Sequence, residues 1–171
     1  MMKYTLFLIF LVFLGSLSFP QDKPQAQKNF MQFAGFWKLE NAKFTAGGET
    51  MTGTYTFDCS AVNDNTGILA HEKFETKNTG TMLGENLMGY DPNTGLVHLY
   101  STDNMGTAHD HYGSWINPEH LFLQYQGVKD GKIYLEQIDM KFISPDKMEL
   151  NLTGMLNGKP YSKFSGTFTK K

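Results

Sequence analysis

Beyond Ala34 apolar residues alternate with polar ones, and clusters of turn-forming residues interrupt the alternation at regular intervals. That is the period-2 signature of half-buried strands, and no stretch of useful length shows the 3.6 period of a helix. The interruptions fall at Gly47-Gly48, Asn63 to Gly67, Asn78-Thr79-Gly80, Asp91 to Gly95, Asp103 to Gly106, Asn117-Pro118, Asp130-Gly131, Ser144-Pro145-Asp146 and Asn157-Gly158. Nine turns predict ten strands. In Met51 to Val62 the odd positions carry Met51, Tyr55, Phe57, Cys59 and Ala61 while the even ones carry Thr, Asp and Ser, so one face is buried. Around Asp130-Gly131, Leu121, Leu123 and Tyr125 fall beside Tyr134, Ile138 and Met140. For the last hairpin a three-residue Asn157-Gly158-Lys159 loop is preferred, because it sets Leu152 beside Phe164 and Met148 beside Phe168. A two-residue loop would slip the register by one and expose an apolar face.

Ten consecutive antiparallel strands with tight turns and no helices to cover them need closure. An all-β, ten-stranded antiparallel up-and-down barrel is the economical solution, since a sandwich would need long connections between sheets. Asn29 to Ala34 is expected to add one helical turn, with Phe30 and Phe33 plugging an end of the barrel.

The amino terminus reads differently. Lys3, the apolar run Tyr4 to Leu14 and the small residues Ser16-Leu17-Ser18 form a signal-peptide pattern over 1–18, with cleavage after Ser18. The run is short of the ~20 residues that span a bilayer, so no stable membrane insertion is expected once it is removed. Residues 19–30 read as a flexible polar tether and 31–171 as a single barrel domain, exported to the periplasm or beyond. The single cysteine, Cys59, leaves no internal disulfide and reads as a small apolar core residue. A net charge of -2, no arginine and no basic run argue against nucleic acid as a partner.

The candidate chemistry concentrates in Leu96 to Trp115, where His98, His109 and His111 lie on two strands joined by a turn. A two-residue loop at Asn104-Met105 sets His98 across from His111, and one at Asp103-Asn104 sets it across from His109. Either register gathers three imidazoles on one face with Tyr100 and Trp115, an arrangement able to bind zinc with water as the fourth ligand. The opposite face, with Val97, Leu99 and Ser101, is as apolar, so the pattern leaves the inward side open. A loop at Asn117-Pro118 that aligns Trp115 with Leu121 would turn the histidine face inward. Glu72 is the second candidate, in phase with the apolar Ile68, Ala70 and Phe74 and so inside the barrel unless a bulge turns it out. A carboxyl there could orient a ligand or act as a general base.

Phe33-Ala34-Gly35-Phe36-Trp37-Lys38 resembles the Gly-x-Trp opening of lipocalins and fatty-acid-binding proteins, in which the Trp closes the barrel floor beside a short helix. With Gly89-Tyr90-Asp91-Pro92 and the glycines Gly106 and Gly113, the chain from Phe33 to Phe168 is similar to a family of small lipocalin-like barrels, often exported and bacterial, with no assigned activity. A Trp common in that family after the Gly-Tyr-Asp turn corresponds here to Tyr100. The resemblance implies fold far more than activity. The expected function is an exported binding protein that holds a small, mostly apolar molecule in its lumen, with Trp37, Tyr55, Glu72, His98, Tyr100, His109, His111, Trp115 and Tyr125 around it. The alternative is an enzyme using the histidine cluster or Glu72. No cofactor is expected, zinc at His98, His109 and His111 being the one exception weighed.

Overall fold

The structure is a computed structural model that describes residues 23–77 and 79–171; the expected signal peptide lies outside the described residues. One helix, α1 (Lys23–Met31), precedes ten strands: β1 (Gly35–Ala46), β2 (Glu49–Val62), β3 (Gly67–Thr76), β4 (Gly80–Asp91), β5 (Leu96–Asp103), β6 (Ala108–Asn117), β7 (His120–Lys129), β8 (Lys132–Ser144), β9 (Lys147–Leu156) and β10 (Lys159–Lys170). Each strand pairs with its neighbours in the chain, and β1 pairs with both β2 and β10, closing an antiparallel up-and-down barrel. Closure satisfies the backbone groups that an open sheet would leave at its edges. No helix among the described residues is long and apolar enough to cross a membrane.

All nine expected turns separate strands. At Asp130-Gly131 and Asn157-Gly158 both central residues have positive φ (52° and 70°, 49° and 73°), the left-handed conformation that two-residue hairpins need. The last hairpin has the expected partners, Leu152 opposite Phe164 and Met148 opposite Phe168, but reaches them by another device. Its loop is two residues long and a bulge between Pro160 and Ser162 restores the register. A bulge between Trp115 and Asn117 likewise lets a short turn align Trp115 with Leu121.

From residue 23 on, helix stands where the tether over 19–30 was expected, and it takes in the first part of the single turn expected over 29–34; 19–22 lie outside the described residues. Lys23–Met31 is a nine-residue helix. Ala26, Asn29 and Phe30, at i, i+3 and i+4, form its buried face. Side chains here bind the barrel's loops: Gln27 Nε2, in the expected tether, donates to the Asp64 carbonyl at 2.6 Å, and Gln32 Nε2, just after the helix, to the Pro118 carbonyl at 2.8 Å.

Helix and barrel meet in an aromatic floor. Phe30 and Phe33 pack on Trp115 with centroids 6.2 and 6.0 Å away, and Phe33 and Trp37 pack on Phe142 at 4.8 and 6.0 Å. Trp37 is fully buried, and its indole N–H donates to the Phe33 carbonyl at 2.6 Å, so the polar tip of this large ring is satisfied. Lys170 lies over the same ring at 4.7 Å and donates to the Gln32 carbonyl, tying the last strand to the end of the helix.

Candidate functional site

Above the floor the inward side chains do not fill the barrel. They leave a cavity of about 720 Å³ that runs from Phe33 to a mouth at Ala46, Thr79, Met105, Lys129 and Tyr161. Phe44, Met51, Phe57, Phe74, Leu99, Leu152 and their neighbours make most of the wall apolar. Two polar clusters interrupt it.

The first is built on Glu72, whose side chain faces the lumen as its phase with Ile68, Ala70 and Phe74 predicts. Tyr55 donates its hydroxyl to one carboxyl oxygen, Asn86 Nδ2 donates to the other at 2.6 Å, and Ser101 Oγ donates to Asn86 Oδ1 at 2.5 Å. Room for the carboxyl comes from Gly84, its partner on β4, where a Cβ would stand 3.1 Å from Glu72 Oε2. Burial raises the Glu72 pKa, the bonds from Tyr55 and Asn86 oppose the rise, and the acids Asp103 and Glu136 add to it; the carboxyl ends above its ordinary value. Burial, followed by the charge of Glu72, holds the Tyr55 phenol well above its ordinary range, so it stays a donor.

The second cluster surrounds Glu136. His111 Nε2 lies 2.9 Å and His109 Nδ1 3.5 Å from Glu136 Oε1, while Tyr134 donates to Oε2 and lies 3.1 Å from Ser162 Oγ. The His109 ring stacks on Tyr125 with centroids 4.0 Å apart and 15° between planes. Burial pushes the Glu136 carboxyl up, but the bonds from His109, His111 and Tyr134 outweigh it and bring the pKa down to about 2.

The sequence-predicted residues divide. Tyr55, Glu72, His109, His111 and Tyr125 line the cavity together. Trp37 and Trp115 are buried in the floor instead. His98 and Tyr100 are on the outer face: Tyr100 is 53% exposed, and His98 Nδ1 pairs with Asp110 Oδ1 at 3.2 Å. The expected three-histidine cluster is therefore corrected to two. The cause is the β5–β6 connection, in which the last pair is Thr102 with Ala108, so five residues, Asp103 to Thr107, lie between the last paired positions. An odd loop sets His98 opposite Tyr112, and Leu99 and Ser101 opposite His111 and His109, the reverse of both two-residue registers. Asp103 holds this loop, its Oδ1 accepting from the Met105 and Thr107 amides at 2.9 Å each.

Sequence reasoning missed Glu136, Asn86, Ser101 and Ser162. Glu136 was detectable, since it stands between Tyr134 and Ile138 in the phase of the buried face, the argument that located Glu72. Cys59 is buried, and burial pushes its thiol up to about 12, as befits a core residue.

Without His98, the metal-capable group is His109, His111 and Glu136, whose ligand atoms all lie within 4.8 Å of one another. Two imidazoles and a carboxylate suit zinc or ferrous iron with positions left open. The second shell fits less well. If His111 ligates through Nε2 its proton must sit on Nδ1, which is buried and has no acceptor among the described residues. Without an ion, Nε2–H donates to the carboxylate and Nδ1 keeps only an unshared lone pair, the less costly state.

No family model matches the chain, and no match exists among curated proteins. Among solved structures it is similar to the S-type phycobiliprotein lyase CPES from Guillardia theta, with a TM-score of 0.54 and 10% identity over 89% of this chain and 98% of that chain. At that identity the likeness is one of fold: a closed ten-stranded barrel behind a short helix, which is lipocalin-like.

Proposed function

We propose that the protein binds a small, mostly apolar molecule in the barrel lumen, oriented by Glu72 and its partners on one wall and by His109, His111 and Glu136 on the other. The observation that carries this reading is the cavity of about 720 Å³, whose wall is mostly apolar, with the two polar clusters inside it and Asp103 and Lys129 toward the mouth. Its size falls within the ~300–1,000 Å³ usual for small-molecule sites. Export belongs to the same reading and rests on residues 1–18. The test uses a neutral apolar fluorophore, N-phenyl-1-naphthylamine. Saturable enhancement at one probe per chain is expected, with affinity reduced about tenfold or more (~1.4 kcal/mol) in Leu99→Trp, which puts an indole ring in place of the isobutyl group in the lumen wall. No enhancement, or equal affinity in the two proteins, would refute the reading.

A second reading, a divalent ion held by His109, His111 and Glu136, is favoured by the convergence of their ligand atoms within 4.8 Å. A lyase among proteins of this fold is a reminder that architecture alone does not separate binding from catalysis. Elemental analysis after zinc loading and desalting decides: one equivalent, lost in His109→Ala, supports the ion, and sub-stoichiometric metal rejects it.

A further inference from the structure

The lumen is one-sided in charge. Three carboxyl groups line it, from Glu72, Asp103 and Glu136, and among the described residues the only lysine in its wall is Lys129. That ammonium stands at the mouth, 5.6 Å from the centroid of the Tyr161 ring. The chain has no arginine to supply a fork for a carboxylate or phosphate. The histidines do not replace it, because His111 Nε2 and His109 Nδ1 are both turned onto Glu136. An anionic head group entering this lumen would bring acceptors to acceptors and like charge to like charge.

The acids are not equally free. Asp103 uses Oδ1 on two loop amides, and Glu136 is ringed by His109, His111 and Tyr134. Glu72 receives one donor on each oxygen, from Tyr55 and Asn86, and a carboxylate has about four acceptor positions. Two remain. Beside it lies an aromatic cluster centred on Tyr55, with Phe57, Phe74, Phe164 and Phe168 at centroid distances of 4.9, 5.3, 5.3 and 5.5 Å. A carboxylate with open acceptor positions next to aromatic faces suits a cation carried on a hydrocarbon body, since ring and carboxylate attract the same charge.

Resting on the lumen-binding reading above, we infer that the ligand is an apolar amine, seated with its cationic nitrogen at Glu72 and its hydrocarbon along the aromatic wall, and that anionic amphiphiles such as fatty acids are rejected. Three probes of equal chain length separate this inference from the reading beneath it. Decylamine, 1-decanol and decanoate are each titrated against bound N-phenyl-1-naphthylamine at neutral pH. Decylamine is expected to displace the fluorophore at a concentration about tenfold below decanol, with decanoate the weakest of the three. In Glu72→Gln the amine should lose its advantage over the alcohol. Decanoate competing as well as the amine overturns the inference, as does an amine advantage that survives Glu72→Gln. Displacement by decanol but not by decylamine overturns it while leaving lumen binding intact. If none of the three displaces the fluorophore, the inference falls, and the Leu99→Trp comparison decides the lumen-binding reading separately. Should Glu72→Gln fail to fold, the probe order on the unaltered protein decides.

Discussion

Glu72 and Glu136 face one lumen and are driven in opposite directions by their donors. Burial acts on both. At Glu136 three donors overcome it and the pKa falls, whereas at Glu72 two donors do not and the pKa rises. The consequences for stability therefore have opposite sign. When a folded-state pKa is raised, the unfolded chain gives up its proton first, so folding loses stability as pH climbs from the unfolded value through the folded one. That loss is absent below the unfolded value and complete above the folded value. Glu72→Gln removes it, and Asn86 can turn its amide to meet the new donor while Ser101 rotates its hydroxyl. The variant is expected to gain about 1 kcal/mol at pH 7 and nothing at pH 3. Urea unfolding midpoints at several pH values measure this, and equal stability of the two proteins at every pH would show that the carboxyl carries no such cost. A stabilising change that also abolishes amine preference is the behaviour of a group kept for binding.

At the scale of elements, legibility followed the strength of the alternation. Strands β7 to β10 have one plainly apolar face, and their partners agree with the pattern even where the loop length does not. In the last hairpin Leu152 opposite Phe164 is so strongly preferred that a bulge near Tyr161 absorbs the discrepancy. The β5–β6 hairpin offers no such preference. Val97 and Leu99 are matched on the other face by Leu96 and Tyr100, and the histidines fall on both, so the register passes to the loop. There one side-chain oxygen of Asp103 gathers two amides and makes an odd loop where an even one was expected. A local hydrogen bond thereby decided the fate of His98. Helix α1 escaped notice for a related reason: its buried face has only Ala26 and Phe30 as apolar members, too few for a helical period to stand out. Half of the candidate site was visible because a charged residue in phase with apolar neighbours marks an inward position. Glu72 was read that way and Glu136 was not, although the same alternation contains both.

The whole molecule is divided along the barrel axis. At one end Phe30 of α1, Phe33, Trp37, Trp115 and Phe142 pack ring against ring, and beyond them the strands enclose space. Side chains in the two halves should respond differently to truncation. Phe30 is fully buried against Trp115 and outside the cavity wall, so Phe30→Ala forfeits both transfer energy and packing, and a loss of about 3–5 kcal/mol is expected. Leu152 faces the cavity, where part of its surface already lacks a protein neighbour. Its truncation enlarges an existing space rather than creating one, and Leu152→Ala should cost about 1–2 kcal/mol. Unfolding in urea compares the two directly; equal penalties would mean that the lumen wall is packed like the floor. A saturating ligand sharpens the contrast, because occupancy at 100 times Kd adds about 2.7 kcal/mol to the folded state. That increment should shrink in Leu152→Ala, whose wall offers the ligand less contact. It should remain in Phe30→Ala, because the helix-bearing end closes the barrel and the open end supplies the site.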